Sequence, residues 1–380
     1  MSGHKLKLGI VGCGSATQIE FAPIMRFVDQ CELTALCDPV PEALDLVRSI
    51  HPVEEVYRDY GEFLRRAKVD AVIIATPVYL HKEQVVKAAG AGKHVLCEKP
   101  MARTLAECDE MIAACQNAGV TLMVGFMKRF DKSMRHAKAL IDQGRLGKPY
   151  HLLCDWRSAA NSQREFQSTA RSEFWRAKLL AWGGIYQDHA SHTSDLSRWW
   201  LGEIVSVSAE MSIVGQDQEV EDYGVGVYVH ESGAKSVHLM GVSQMGINER
   251  YQIDGSQATL EIQYGPPWSF TSTDPFRMTV YEESGRRRTD ETQYNHSVLS
   301  LELARSGRYK RELDHFCECV LEGKTPLVTG ENGRKAIEAI NAAYLSAFLK
   351  EKVHLPLEQT PELERFFVEL KARSSFCPTG

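Results

Sequence analysis

The sequence lacks the features that mark membrane proteins and nucleic-acid-binding proteins. None of its apolar stretches approaches the ~18–20 residues that a membrane-spanning helix requires. Its 44 basic and 50 acidic residues give a formal net charge of −6, so the composition favours neither a nucleic-acid backbone nor an anionic bilayer as a partner. The basic run Arg286, Arg287 and Arg288 precedes an acidic segment, and we interpret it as a solvated turn. We therefore expect no nucleic-acid partner and no membrane partner.

The ten cysteines show none of the C-x-x-C spacing that zinc and dithiol sites use, and several lie inside apolar, strand-like runs. Free cysteine behaves in such runs as a small hydrophobic residue. No signal peptide precedes residues 6–11, an apolar run typical of a first strand. Together these observations indicate a reducing compartment, and we expect a cytoplasmic protein.

Short β-branched runs alternate with helical patterns over the first third of the chain, which is typical of βαβ units and a parallel sheet. Thr104, with Glu107 three residues later, predicts a capping box at the start of a helix that ends at Gly119. The predicted strands are 6–11, 32–37, 69–76, 94–98 and 121–125, and the predicted helices are 41–49, 80–89 and 105–117.

The pattern changes after residue 127. Period-two alternation with short glycine-containing links predicts antiparallel hairpins. The polar and aromatic segment 161–178 has no clean period and predicts a long loop. The remaining predicted strands are 150–156, 204–213, 224–230, 235–242, 251–253 and 258–262, and the remaining helices are 133–142, 187–201, 309–321 and 333–349. The sequence thus predicts an α/β domain with a doubly wound parallel sheet over 1–127, followed by an α+β domain with a mostly antiparallel sheet over 128–380.

A glycine-containing turn directly follows the first predicted strand. Glycines in this turn allow backbone N–H groups to approach a pyrophosphate at the N-terminus of the next helix. The match is imperfect, because Thr17 stands where Gly or Ala usually lets the helix and strand pack closely. An ordinary strand–helix turn is the alternative. The candidate phosphate-binding residues are Gly12, Cys13, Gly14, Ser15, Ala16 and Thr17.

Asp38, at the end of the second predicted strand, supports a dinucleotide site. Its carboxylate suits the hydroxyls of an adenosine ribose. No Arg or Lys follows it directly to neutralise a 2′-phosphate, so the pattern favours NAD over NADP. The alternative is a turn that Asp38 and Pro39 start.

Two groups of polar residues are candidates for the chemistry. Lys99 follows strand 94–98, and ligands collect at the carboxyl ends of such strands, where its fixed charge can orient a hydroxyl. Asp188, His192 and Asp195 fall on one helix face, and a histidine beside a carboxylate is a candidate general base.

Three other interpretations of this helix stay open. The polar face can be a satisfied patch in the core, Asp188 can cap a helix, or His189 and His192 can bind a metal together with a carboxylate. We expect no metal.

Several motifs occur in order along the chain: Gly12-Cys13-Gly14, Ala75-Thr76-Pro77, His81, Glu98-Lys99-Pro100 and Asp188-x-x-x-His192-x-x-Asp195. This set resembles the Gfo/Idh/MocA oxidoreductase family, which includes glucose–fructose oxidoreductase and inositol dehydrogenase. The segment 124–131 looks especially like the inositol dehydrogenase branch. The resemblance covers most of the chain and is weaker in the hairpins.

The resemblance implies a Rossmann nucleotide-binding domain and a role for each matching residue. Lys99 would contact the reacting hydroxyl and the nicotinamide ribose, Asp188 would hold and polarise the substrate, and His192 would accept the proton. Lys128 looks like a substrate-side residue, although inositol dehydrogenases typically have Arg there, which argues against inositol itself. The further residues that would line the NAD cleft are Thr76, Pro77, His81, Glu98 and Met127.

The middle of the chain supplies aromatic faces and fork-like donors, which suit a polyhydroxylated ring. Packing at a subunit interface is an equal alternative for the tryptophans and arginines. The resemblance also implies a homodimer or homotetramer paired through the exposed face of the antiparallel sheet. The candidate substrate residues, besides Lys128, are Arg157, Trp175, Arg176, Gln187 and His189.

These features together predict an NAD-dependent dehydrogenase that oxidises a secondary hydroxyl of a sugar, sugar derivative or cyclitol to a ketone. Lys99 and His192 are expected to converge across one cleft beside the nicotinamide. One alternative is a glycosidase or lyase that retains NAD and oxidises its substrate only transiently. Another is a non-catalytic NAD-sensing regulator on the same fold.

Overall fold

The computed structural model describes residues 5–159, 179–214, 218–244, 248–264, 275–283, 285–294, 307–357 and 363–373. Internal contacts divide the chain into two compact units. The first contains the described residues up to Phe130 and those of 307–334, and the second contains the others. This grouping differs from a division into 1–127 and 128–380, because a late segment packs with the first unit.

The first unit is built on a six-stranded parallel sheet with the order β3-β2-β1-β4-β5-β6. The strand order reverses between β1 and β4, and in doubly wound sheets such a switch point is where ligands bind. Five of its strands were predicted, and the short β3 was not. The strands are β1 (Leu6–Val11), β2 (Cys31–Cys37), β3 (Glu55–Tyr57), β4 (Ala71–Ile74), β5 (His94–Glu98) and β6 (Leu122–Gly125).

Helices connect these strands. The predicted capping box is present in part: Thr104 Oγ1 accepts a hydrogen bond from Glu107 N at 3.1 Å, and the helix ends at Gly119 with φ +66°. The helices are α1 (Thr17–Phe21, Ala22–Ile24 and the 3₁₀ turn Met25–Phe27), α2 (Pro41–Ile50), α3 (Tyr60–Arg66), α4 (Val78–Gly90), α5 (Leu105–Ala118) and, after a long excursion of the chain, α8 (Arg308–Glu322).

The second unit contains a nine-stranded sheet with the order β14-β13-β12-β11-β7-β10-β9-β8-β15. All neighbouring pairs are antiparallel except β7 and β10, so the predicted, mostly antiparallel sheet is confirmed. The strands are β7 (Pro149–Ala159), β8 (Ile204–Ser212), β9 (Tyr223–His230), β10 (Lys235–Gln244), β11 (Asn248–Gly255), β12 (Ala258–Tyr264), β13 (Pro275–Glu282), β14 (Arg287–Tyr294) and β15 (Val353–His354).

The remaining helices are α6 (Lys132–Asp142), α7 (Ile185–Leu201), α9 (Gly330–Leu349), whose first turn belongs to the first unit, and α10 (Glu364–Ala372). Three of them match the predictions to within three residues at each end, whereas α10, β13, β14 and β15 were not predicted.

The interpretation of Arg286, Arg287 and Arg288 as one turn is wrong in part. Arg286 lies in a turn, but Arg287 and Arg288 begin β14 and pair with β13, although all three side chains are exposed. The predicted loop 161–178 lies outside the described residues. Within the described part of the chain, no helix is long and apolar enough to cross a bilayer.

Candidate active site

The turn after β1 passes close to the end of β4, at the switch point of the parallel sheet. Gly12 has φ +93°, and a Cβ atom there would lie 2.6 Å from the carbonyl oxygen of Ala75, so only glycine fits. A Cβ atom at Gly14, in contrast, would have no heavy atom within 4 Å. The turn therefore packs against the sheet at Gly12 and is open at Gly14.

Thr17, which departs from the usual pattern, has a structural role in this turn. Its buried side chain donates a hydrogen bond from Oγ1 to the carbonyl oxygen of Gly12 at 2.5 Å. The first turn of α1, Thr17–Phe21, is wound as a wider π-helix. Such turns occur often at functional sites. The threonine thus holds the turn instead of letting the helix pack closer.

Asp38 is joined directly to the same turn. Its Oδ2 accepts a hydrogen bond from Cys13 N at 2.7 Å, and its Oδ1 accepts one from Val40 N at 2.9 Å. Each carboxylate oxygen has a second lone pair, so a further donor such as a ribose hydroxyl can still be accepted. The two predicted nucleotide-binding elements are brought together.

His81 links the ends of β4 and β5. Its Nε2 lies 2.8 Å from the carbonyl oxygen of Thr76, and its Nδ1 lies 2.9 Å from that of Pro100. Burial lowers the pKa of His81, which favours the neutral ring. The neutral ring carries one N–H, so His81 donates to one of these two carbonyl oxygens and lies against the other.

Lys99 lies at the end of β5, next to the Pro100 carbonyl that His81 contacts. It follows β5 directly, is half-buried, and precedes Pro100 through a cis peptide bond. Its backbone N–H donates to Glu98 Oε2 at 3.0 Å, and the buried Glu98 side chain packs against Gly125 of β6. Met127 and Lys128, both buried, follow in a 3₁₀ turn of the same unit.

Helix α7 of the second unit is buried along almost its whole length although it is rich in polar residues. Asp188 and His192 are 7% and 4% exposed and lie one turn apart on this helix. His189 stacks on Trp156 of β7 with ring centroids 3.5 Å apart, and its Nδ1 lies 3.3 Å from Asp188 Oδ2. A buried polar helix is unusual in a core and indicates function.

A buried chain of hydrogen bonds attaches α7 to the sheet. Thr193 Oγ1 lies 3.1 Å from His238 Nδ1, and His238 Nε2 lies 3.1 Å from Ser236 Oγ, which in turn lies 2.9 Å from His230 Nε2. Burial holds the pKa of His238 well below its usual range, so its ring is neutral. This chain satisfies the hydroxyl of Thr193, one of the polar groups that the helix buries.

The start of α7 is held by two residues that the sequence analysis missed. Glu221 Oε1 accepts hydrogen bonds from Gly184 N at 2.8 Å, Tyr186 N at 2.9 Å and the Tyr344 hydroxyl at 2.8 Å. Glu221 and Tyr344 follow Gly184 by 37 and 160 positions, so no local sequence pattern connects them with the start of this helix.

The predicted substrate residues are only partly brought together. Gln187 and His189 share the first turns of α7, and Gln187 is 3% exposed. Arg157 pairs with Asp155 at 2.7 Å and alternates with Trp156 along β7, so it lies on the other face of that strand. Trp156, not Arg157, is therefore the β7 side chain next to His189. Trp175 and Arg176 lie outside the described residues.

The metal interpretation finds no geometric counterpart in the part of the chain that the structure describes: no group of three histidine, cysteine or acidic side chains there is arranged to hold an ion.

The buried carboxyl of Glu221 leads to a pH-dependent stability. Burial raises the pKa of Glu221 from 4.5 to about 7, although the hydrogen bonds that it accepts lower it. Because the folded-state pKa is the higher one, the stabilisation is complete below about 4.5 and is lost as the pH rises through about 7. Glu221→Gln, which does not titrate, should gain about 2 kcal/mol relative to the wild type between pH 5 and 8.

Thermal unfolding of both proteins at the two pH values measures this difference. Glu210→Gln, at an exposed carboxylate of β8, serves as the control and should show a small, constant difference. A difference for Glu221→Gln that does not change with pH would contradict the prediction.

Comparison with known proteins identifies relatives along the whole chain. The model of the GFO_IDH_MocA oxidoreductase family for the NAD-binding Rossmann fold matches residues 6–126, and the model for its C-terminal alpha/beta domain matches residues 138–355. Myo-inositol 2-dehydrogenase of Thermotoga maritima is 30% identical over 362 residues, which cover 93% of this chain and 99% of that protein.

Two further relatives differ from it in activity and ligand. The 2,7-anhydro-N-acetylneuraminate hydratase of Mediterraneibacter gnavus is 30% identical over 365 residues, covering 88% of this chain and 93% of that protein. The structure of the WlbA dehydrogenase from Bordetella pertussis in complex with NADH and UDP-GlcNAcA has a TM-score of 0.76 at 26% identity, and the match covers 93% of this chain and 100% of that one.

The residues of the first unit fit the cofactor that these comparisons imply. The turn is open at Gly14, as a turn that approaches a pyrophosphate must be, and Asp38 accepts from Cys13 N of the same turn. The chain therefore belongs to the Gfo/Idh/MocA oxidoreductase family and binds NAD through its Rossmann domain.

Proposed function

We propose that this protein is an NAD-dependent dehydrogenase that oxidises a secondary hydroxyl of a sugar, sugar derivative or cyclitol to a ketone. The observation that carries the proposal is the placement of Asp188 and His192, one turn apart on the buried polar helix α7. Burying ionisable groups costs folding free energy, and such groups cluster at functional sites, so their presence favours catalysis. The dehydrogenase relative supports the same class of reaction.

The proposed mechanism assigns one step to each of three side chains. His192, through its imidazole, accepts the proton of the reacting hydroxyl as general base. Asp188 accepts a hydrogen bond from the substrate and holds it in place. The Lys99 ammonium orients the reacting oxygen and stabilises the negative charge that develops on it. When bound, NAD supplies the acceptor for the hydride that leaves the carbinol carbon.

The proposed substrate is a polyhydroxylated ring. The stacked pair of Trp156 and His189 supplies a flat aromatic surface, and the amide of Gln187 supplies both a donor and an acceptor. Buried Lys128 of the first unit is proposed as a further substrate residue, because its ammonium can donate to a substrate hydroxyl.

Substitution of these residues tests the mechanism. On a panel of sugars and cyclitols with NADH absorbance as the readout, Lys99→Ala, Asp188→Ala and His192→Ala should each lower kcat by roughly 10²- to 10⁴-fold, because each removes a group that acts in the transition state. Ser197→Ala, which removes a buried hydroxyl from the same helix, is the matched control and should keep nearly the wild-type rate. Undiminished turnover in the Lys99 and His192 variants would disprove these roles.

A second candidate is a lyase or glycosidase that retains NAD and oxidises its substrate only transiently. The relative named as a hydratase favours it. The same assay separates the two candidates, because transient oxidation consumes substrate without net NADH. Product analysis on an anhydro-sugar substrate, with absorbance recorded in parallel, would therefore decide for the second candidate if product forms and NADH does not.

Asp38 should determine the choice of cofactor. Asp38→Ala removes a charged acceptor of the ribose hydroxyls, which should weaken NAD binding roughly 10- to 100-fold and reduce the preference over NADP. Asp38→Asn keeps an acceptor for Cys13 N and separates loss of charge from loss of the turn. Fluorescence titration with both dinucleotides measures the effect, and an unchanged NAD to NADP ratio in both variants would contradict the assignment.

We also propose that the protein is a homodimer or homotetramer paired through the outer face of the large sheet. Along β9 and β10 most residues opposite α7 are apolar and half-buried or exposed, with Val227 40% exposed, and the charged residue on this face is Lys235. A contiguous apolar face of this kind favours association. The outward apolar residues are Leu153, Tyr223, Val225, Val227, Val229, Val237 and Leu239.

Light scattering after size exclusion tests this assembly. Val227→Glu should shift the oligomer toward the monomer, because a charge would be buried at the interface. Val368→Glu, at a 66% exposed position of α10, is the control and should leave the mass unchanged. A monomeric wild-type protein would contradict the proposal.

A cytoplasmic location belongs to the same proposal. Nine of the ten cysteines are described, and all nine are buried free thiols, which suits a reducing compartment.

A further inference from the structure

The first turn of α7 obtains its capping partners from elsewhere in the second unit. An α-helix leaves its first four N–H groups without intrahelical acceptors, and Gly184 at the N-cap has no side chain to offer. Glu221 accepts from three of these groups: Oε1 from Gly184 N and Tyr186 N, and the backbone carbonyl oxygen from Ile185 N at 3.4 Å. The Tyr344 hydroxyl accepts from the fourth, Gln187 N, at 3.1 Å.

Close packing fixes the geometry of this cap. A Cβ atom at Gly184 would overlap the carbonyl oxygen of Glu221, and one at Gly183 would overlap the Tyr344 hydroxyl. Glu221 and Tyr344 are both completely buried. The turn therefore has little freedom to rotate or shift while the cap is intact.

The capped turn is the one that carries Asp188. The first intrahelical hydrogen bond, from Asp188 N to the Gly184 carbonyl oxygen at 3.1 Å, follows the cap directly. His192 lies one turn later on the same face. Any rotation of the first turn would thus change the direction of both side chains.

We propose that Glu221 and Tyr344 are positioning residues of the reaction, which hold the first turn of α7 so that Asp188 and His192 face the substrate correctly. This inference rests on the proposed function. Neither residue is assigned contact with the substrate; both act through the helix.

The acceptor atom, more than the charge, is the essential feature of this cap. One oxygen, Oε1, receives three hydrogen bonds, whereas Oε2 is buried and has no hydrogen-bond partner among the described residues. A glutamine can present the same acceptor oxygen and place its amide nitrogen where Oε2 lies. An alanine removes the acceptor, and phenylalanine at 344 removes the hydroxyl but keeps the ring.

Four variants test the inference with the best substrate of the carbohydrate panel. Glu221→Ala and Tyr344→Phe should lower kcat by roughly 10- to 100-fold, because small misplacements of reacting groups have effects of this size. The dissociation constant for NAD should not change. Glu221→Gln should keep most of the wild-type kcat. Glu203→Ala, which removes both carboxylate acceptors of Arg198 at the other end of α7, is the matched control and should keep the rate.

Amide hydrogen exchange supplies a readout that does not depend on turnover. The amides of residues 186–188 should exchange slowly in the wild type and in Glu221→Gln, and much faster in Glu221→Ala. If Glu221→Ala does not fold, Tyr344→Phe, which keeps the core volume, answers the same question at Gln187.

The outcomes separate this inference from the proposed function. Wild-type kcat in folded Glu221→Ala and Tyr344→Phe, or equal losses in Glu221→Gln and Glu221→Ala, would overturn the positioning role. Full turnover in His192→Ala and Asp188→Ala would overturn the proposed mechanism instead, whatever the exchange data show for the cap.

Discussion

The hydrogen bonds between the Glu221 carboxylate and the first turn of α7 are the interaction on which the second unit depends. Every candidate catalytic residue of that unit lies on α7, and this helix is buried although it is polar. Part of the cost of burying it is offset by hydrogen bonds: Glu221 and Tyr344 accept from its first turn, and Thr193 joins the chain through His238 along its side. Burial raises the pKa of Glu221, and the N–H groups of the helix N-terminus oppose that rise in part. The cap and the polar face are therefore parts of one arrangement.

In the first unit, the topology of the parallel sheet positions the loops that carry the candidate residues. Parallel strands end at one edge of the sheet, so short loops after β1, β2, β4 and β5 meet there although they are far apart in sequence. Contacts between the loops then fix their relative positions. Asp38 holds the turn after β1, Gly12 touches the end of β4, and His81 joins the carbonyl groups beside Thr76 and Pro100. Lys99 follows β5 at this same edge of the sheet.

Residues whose role follows from local pattern were accessible from the sequence. Three signals depend on spacing within about 10 residues, which strand and helix geometry determines. They are the glycines that follow a strand, the acidic residue that follows the next strand, and the periodic histidine and aspartate of a helix. The role of a strand residue was harder to predict where it depends on the face of the sheet that the side chain occupies. Trp156 and Arg157 are neighbours, yet the alternation of side chains places Trp156 against His189 and Arg157 beside Asp155. Thr17 shows a third case, because its departure from the pattern is explained by a hydrogen bond to Gly12.

The sequence alone determined the two kinds of sheet, most element boundaries, the family and the identity of the residues proposed for catalysis, since all of these follow from periodicity and from motifs in a fixed order. Tertiary structure decided which polar residues support those motifs. Glu221 lies 33 positions after Asp188, and Tyr344 lies 152 after His192, so their contacts arise only when strands and helices pack. The groups that hydrogen-bond a helix terminus must lie close to it in space, and sequence separation does not determine that distance.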